Sequence, residues 1–236
     1  MMLTPDLQRP PLSRAVAWRE VGLAVVVLWS VLGGACFFLG AQSIYDRWGT
    51  SLNATLVLDV VFLIGCLAVI GFVFWRQRRQ GEGIVELGWG RPIRMPVIVI
   101  AVVYGLAWTA MSYMRGGDPL AFPWQRPIMM AIGLVLAFAE EIAVRGLILD
   151  RLARCGTSRI IQIVVTAGIM AVYHGVVGHS VWPSYMVSSF VLFGVLSVIY
   201  VYGGRSLTPV YIAHAMAHFL GDPALMQGVL YGVGAG

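Results

Sequence analysis

Residues 127–150 read PIMMAIGLVLAFAEEIAVRGLILD. The stretch is apolar almost throughout, yet Glu140, Glu141 and Arg145 fall within six residues of one another inside it. A bilayer span needs about 20 apolar residues. Lipid offers no hydrogen-bond partner to an open strand, so a run of this kind is a helix. An ionisable group at the centre of a span costs about 2.5–3.5 kcal/mol on insertion scales, so such groups face the bundle interior and carry function.

The rest of the chain agrees with a bilayer as solvent. Of 236 residues, 59% are apolar and 11% charged, and the mean hydropathy is +0.82. Soluble domains average roughly 45–50% apolar and about 25% charged. So few charged residues cannot cover a soluble surface. Apolar runs recur at 20–42, 53–75, 95–114, 127–150, 161–181, 184–203 and 206–220, and a Gly-rich tail from Met226 to Gly236 adds a partial eighth element. The expected fold is all-α: a polytopic membrane bundle of about seven (six to eight) transmembrane helices, forming a single membrane domain over residues 1–236. Val21 to Ala41 carries no charge. It exceeds the roughly 7–15-residue apolar core of a signal peptide and reads as an uncleaved first span.

All sixteen basic side chains are arginines, against eleven acids, for a net charge of +5. The arginines sit in short loops beside apolar runs, which marks topology and argues against nucleic acid as a partner. Arg9, Arg14, Arg19, Arg76, Arg78, Arg79, Arg91, Arg94, Arg151, Arg154, Arg159 and Arg205 fall on one side of the alternating spans; Arg47, Arg115 and Arg126 fall on the other. This asymmetry predicts a cytoplasmic N-terminus. The connection from Arg76 to Arg94 reads as an interfacial helix without chemistry. Cys36, Cys66 and Cys155 are odd in number and widely spaced, so neither a disulfide framework nor a thiolate metal site is expected.

The buried polar residues divide by helical geometry. Glu141 and Arg145 are four apart, share a face and can pair. Glu140 points about 100° away and is the carboxylate left free. His174 lies in the fifth run; His214 and His218 lie four apart on one face of the seventh. His179 reads as a loop residue and Asp59 as structural. Asp222 follows His218 by four, beside Gly221 and Pro223, where the helix ends. Two chemistries fit this set. In one, Glu140 is a general base that activates water while histidines polarise the attacked carbonyl and hold its oxyanion. In the other, His174, His214 and His218 ligate zinc with one position open for water. Ala215 stands where a His-Glu-x-x-His hydrolase carries its glutamate.

At these residues the chain resembles the family of CAAX prenyl proteases and bacteriocin-processing or immunity membrane proteins (the CPBP or ABI family). Its Glu-Glu-x-x-x-Arg motif is matched by Glu140, Glu141 and Arg145. Phe-x-x-x-His is matched by His174, with Met170 in place of Phe. His-x-x-x-Asn is matched by His214, with His218 in the last place. The motif-bearing core covers about 127–222. The resemblance implies an intramembrane endopeptidase acting on a membrane-associated peptide or protein. In it Glu140 activates water, His174 assists, His214 and the residue at 218 hold the oxyanion, and Glu141 and Arg145 give structural support. It favours a glutamate mechanism with no metal or other cofactor; zinc on His174, His214 and His218 is the alternative that His218 adds. A catalytically silent immunity or peptide-binding protein of the same family is the competing reading. A proton-coupled transporter is disfavoured, because transporters of this kind often show two related halves and none is visible here. Compactness and the exclusive use of arginine point to a bacterial inner membrane.

Overall fold

The computed structural model describes residues 10–34, 52–114, 123–177 and 182–221. Cys36, His179, Asp222 and the Met226–Gly236 tail lie outside these residues, as do Arg9, Arg47 and Arg115. Among the described residues there are seven helices and no strand. In chain order they are α1 (Arg14–Leu28, continued by Trp29–Gly34), α2 (Leu52–Arg79), α3 (Met95–Met114), α4 (Gln125–Arg154), α5 (Arg159–Val177), α6 (Trp182–Tyr202) and α7 (Leu207–Phe219). The segments Leu56–Arg79, Gln125–Arg154 and Pro183–Tyr202 are long and apolar enough to cross a membrane. Met95–Met111 and Arg159–Gly175 are shorter apolar helical stretches. The fold is an all-α membrane bundle.

The helix starts follow from local chemistry. Pro96, Pro127, Pro183 and Pro209 each stand within the first three residues of α3, α4, α6 and α7. There a missing N–H removes no intrahelical bond, because first-turn amides have no partner. Ser13 caps α1, its hydroxyl accepting from the Val16 amide at 3.3 Å. At its far end α2 places Arg76, Arg78 and Arg79 in its last turn, where cations complement the helix dipole.

Helix α4 is the axis of the assembly. Helix α2 packs along it, α7 fits between α4 and α3, and α5 pairs with α6. Helix α7 approaches closely because two glycines admit it. A methyl on Gly105 would lie 2.9 Å from the Ala213 carbonyl oxygen, and one on Gly133 would lie 2.9 Å from His218 Cβ. Small residues at membrane-helix contacts work in this way. Thr109 Oγ1 adds a donor from α3 to the Met216 carbonyl at 3.2 Å.

Two expectations are corrected at the end of the bundle where α2 and α4 finish. Arg151 and Arg154, read as loop residues, belong to the last turn of α4, and Arg151 is 0% exposed. Arg151 donates to Asp150 at 2.6 Å, to Glu82 at 3.2 Å and to Gln80; Arg154 donates to Glu82 at 2.6 Å. Arginine heads enter this interior because carboxylates from a neighbouring segment meet them there. Arg76 pairs with Glu20 of α1 in the same region.

The connection between α2 and α3 is a series of turns that folds inward, where an interfacial helix was expected. Leu87 is fully buried against Gly146 of α4. Gly88, at φ 101°, lets the chain pass so close to Arg205 that a Cβ would lie 2.7 Å from that residue's carbonyl oxygen. Its own carbonyl accepts from the Leu207 amide at 2.9 Å, which ties the connector to the start of α7. Trp89 then stands edge-on to Phe138 of α4 (5.4 Å) and Tyr211 of α7 (5.5 Å). The connector thus supports the two helices that carry the glutamates and the paired histidines.

Candidate active site

The site is built where α4 changes its winding. Regular α-helical bonding runs from Gln125 to Glu141, and over Ile142–Leu149 the helix widens to π-type i→i+5 bonding, with every residue of that segment buried. Such segments are rare and occur often at functional sites. Glu140 and Glu141 are the last two residues before the change. Sequence spacing assumes a uniform helix, so it gave no sign of this feature.

Glu141 and Arg145 meet across it: Nη1 of Arg145 donates to Glu141 Oε1 at 2.9 Å. The second terminal nitrogen of Arg145 donates to the Phe193 carbonyl of α6 at 2.8 Å, and the guanidinium carbon stands 5.0 Å from the centre of the Phe193 ring. Arg145 is 0% exposed. Glu141 Oε1 also faces His214 Nδ1 of α7 at 2.8 Å. A carboxylate paired with an arginine only accepts, so the proton on this edge of His214 is on Nδ1. In the neutral ring Nε2 is then an acceptor, and His218 Nε2, 3.2 Å away, is the donor to it.

Glu140 differs from its neighbour. It is 3% exposed, and its Oε2 is buried without a hydrogen-bond partner. The nearest cation-capable atom is His214 Nε2, at 3.7 Å. Glu141 Oε2 is likewise buried and unpartnered; the two carboxylates differ in that Glu141 Oε1 is shared by the arginine and the imidazole, whereas Glu140 stands 3.7 Å from the same imidazole.

His174 arrives from α5. Its Nδ1 stands 2.8 Å from the Met170 carbonyl oxygen, one turn back on the same helix. A carbonyl only accepts, so Nδ1 carries the proton and the neutral ring presents Nε2 as an acceptor. The ring lies 5.0 Å from Phe193 and 5.2 Å from Tyr185, both on α6. Phe193 in turn stands edge-on to His214 at 5.2 Å. The structure thus brings Glu140, Glu141, Arg145, His214 and His218 together by direct approach, and joins His174 to them through an aromatic wall. Asp59 is buried on α2. Phe193 and Tyr185 went unnoticed in the sequence because α6 carries no Asp, Glu, Arg or His to draw attention to it. Among the described residues no group of three His, Cys, Asp or Glu side chains is arranged to hold a metal ion.

The Rce1-like family model, described as type II CAAX prenyl endopeptidase, matches residues 122–220. No curated protein and no solved structure matches the chain. The matched segment begins just before α4, ends just after α7, and contains Glu140, Glu141, Arg145, His174, His214 and His218. Over residues 122–220 this integral membrane protein therefore matches the CAAX prenyl endopeptidases, the family of proteases that its motifs resemble.

Proposed function

We propose that the chain is an intramembrane endopeptidase that hydrolyses a peptide bond of a membrane-associated peptide or protein, with Glu140 as the general base. The observation that carries this reading is the different pairing of the two carboxylates: Glu141 is bonded through Oε1 to Arg145 and His214, while Glu140, whose Oε2 is buried without a partner, stands 3.7 Å from His214. A water held there can give one hydrogen to Glu140 and turn the other toward the acceptor Nε2 of His174, which leaves an oxygen lone pair for the carbonyl carbon. Glu140 takes the proton as the C–O bond forms and returns it to the leaving amine.

The oxyanion falls to His218 of α7, since His214 has its one proton on Nδ1 toward Glu141. His218 Nε2–H spends its bond on a neutral nitrogen at 3.2 Å. An oxyanion offers a charge-assisted bond of roughly twice the strength, so the donor transfers to it as charge develops. This scheme uses no metal. Its support is the tautomers that Glu141 and Met170 impose on His214 and His174, which suit water activation and proton transfer directly. Loop arginines support a cytoplasmic N-terminus, and the arginine-only basic composition a bacterial inner membrane.

Glu140→Gln tests the reading. Membrane proteomes of cells carrying the variant should accumulate a peptide or protein that wild type cuts. In proteoliposomes, cleavage of a farnesylated CAAX peptide should fall by about 10²–10⁴, the range of general-base catalysis. Equal turnover by the variant would sink the assignment. A wild-type protein that retains peptides and cuts none would establish the silent, peptide-binding reading.

A further inference from the structure

We propose that Phe193 is the positioning residue of this site, a single ring that sets the orientation of both His174 and His214; the inference rests on the peptidase reading above. Each imidazole is tied by its Nδ1, His174 to the Met170 carbonyl and His214 to Glu141. A planar ring held at that edge can still pivot about the hydrogen bond and swing its Nε2 away from the reacting atoms. Each ring has neighbours of its own, Tyr173 and Tyr185 at His174 and His218 at His214, and Phe193 is the side chain they share. Phe193 meets His174 at 5.0 Å with 40° between the planes, and His214 at 5.2 Å and 89°.

Phe193 is itself fixed from two directions. Its carbonyl oxygen accepts from Arg145 Nη2 at 2.8 Å, and the same guanidinium lies against its ring at 5.0 Å. Arg145 is held by Glu141, and Glu141 holds His214. The contacts close a circuit, Glu141–Arg145–Phe193–His214, with His174 on the outer side of Phe193. The ring is 0% exposed, so no solvent motion loosens it. Two helices that supply histidines, α5 and α7, are thereby referred to one point on a third, α6. Ordinary core packing would need only apolar volume at 193; this arrangement needs a flat ring with its face and edge committed.

The test separates ring from volume. Phe193→Met keeps an apolar side chain and removes the ring; Phe193→Tyr keeps the ring. Both variants and wild type are purified in detergent with ¹⁵N-labelled histidine, and folded yield, ring-nitrogen signals and cleavage of the farnesylated CAAX peptide are measured. Phe193→Met should shift or broaden the signals of His174 and His214. It should lower kcat by about 10²-fold with little change in KM, the scale at which a misplacement of about 1 Å acts. Phe193→Tyr should hold both signals and most of kcat. Where Phe193→Met does not fold, the folded Tyr variant decides: wild-type signals support the assignment and displaced signals overturn it. His174 and His214 signals unmoved in folded Phe193→Met would also overturn it. The nitrogen signals report on Phe193 even if Glu140→Gln cleaves as wild type does, so failure of the peptidase reading and failure of this inference are distinguishable.

Discussion

Replacing Arg145 by Ala should destabilise the bundle before it says anything about chemistry. The side chain is wholly buried and makes two hydrogen bonds, to Glu141 at 2.9 Å and to the Phe193 carbonyl at 2.8 Å. Its loss leaves Glu141 as a buried carboxylate with one remaining partner, His214, and leaves an interhelical carbonyl without its donor. Breaking a buried pair typically costs 3–5 kcal/mol, because the surviving charge is uncompensated. His214 retains its bond to Glu141 and offsets part of this. The low end, about 3 kcal/mol, is therefore expected, or about a hundredfold in the folded-to-unfolded ratio at 1.4 kcal/mol per decade. Reversible unfolding in mixed detergent micelles measures it. The control is Glu141→Gln with Arg145→Met, which removes both charges and keeps the volume; such replacement is often neutral or stabilising, so stability should return while turnover does not. Wild-type stability for Arg145→Ala, with activity alone lost, would mean that Arg145 acts on substrate. A double variant as unstable as the single would show that the uncompensated charge is not the cause.

Two further substitutions probe α7. His218→Asn should keep turnover within about tenfold of wild type, because an amide donates as the imidazole does, whereas His218→Ala should lose about 10²–10³, the usual cost of one oxyanion donor. One zinc per purified chain, absent from His218→Asn, would overturn the metal-free scheme. Gly133→Ala places a methyl 2.9 Å from His218 Cβ. Overpacking of this kind costs about 1–3 kcal/mol, so thermal unfolding should come earlier and turnover should fall with it; unchanged values for both would show that α7 is not seated on that glycine.

The bundle and the identity of its polar residues were legible in the chain itself. Hydrophobic runs long enough for a bilayer leave helix as the only backbone solution. A charge placed in such a run is costly enough to advertise itself, which is why Glu140, Glu141, Arg145, His174, His214 and His218 stood out without coordinates. The i, i+4 spacings of Glu141 with Arg145 and His214 with His218 carried their pairings, because that spacing fixes a shared face.

Contacts between helices had no such signal. Phe193 and Tyr185 are ordinary apolar or aromatic residues on a helix without charge, and only the packing of both α5 and α7 against α6 makes one of them the neighbour of two histidines. The inward fold of Leu87, Gly88 and Trp89 was equally silent, since loop residues that pack inward look like loop residues that do not. Arg151 and Arg154 misled for the opposite reason: arginine is the loop marker of membrane topology, and only the tertiary approach of Glu82 and Gln80 lets its charge be buried. Local sequence settles what each residue costs to bury. Which partner meets that cost depends on helices far apart in the chain, and the tertiary structure alone decided it here: His214 turned its proton to Glu141 and left the Glu140 Oε2 atom unspent.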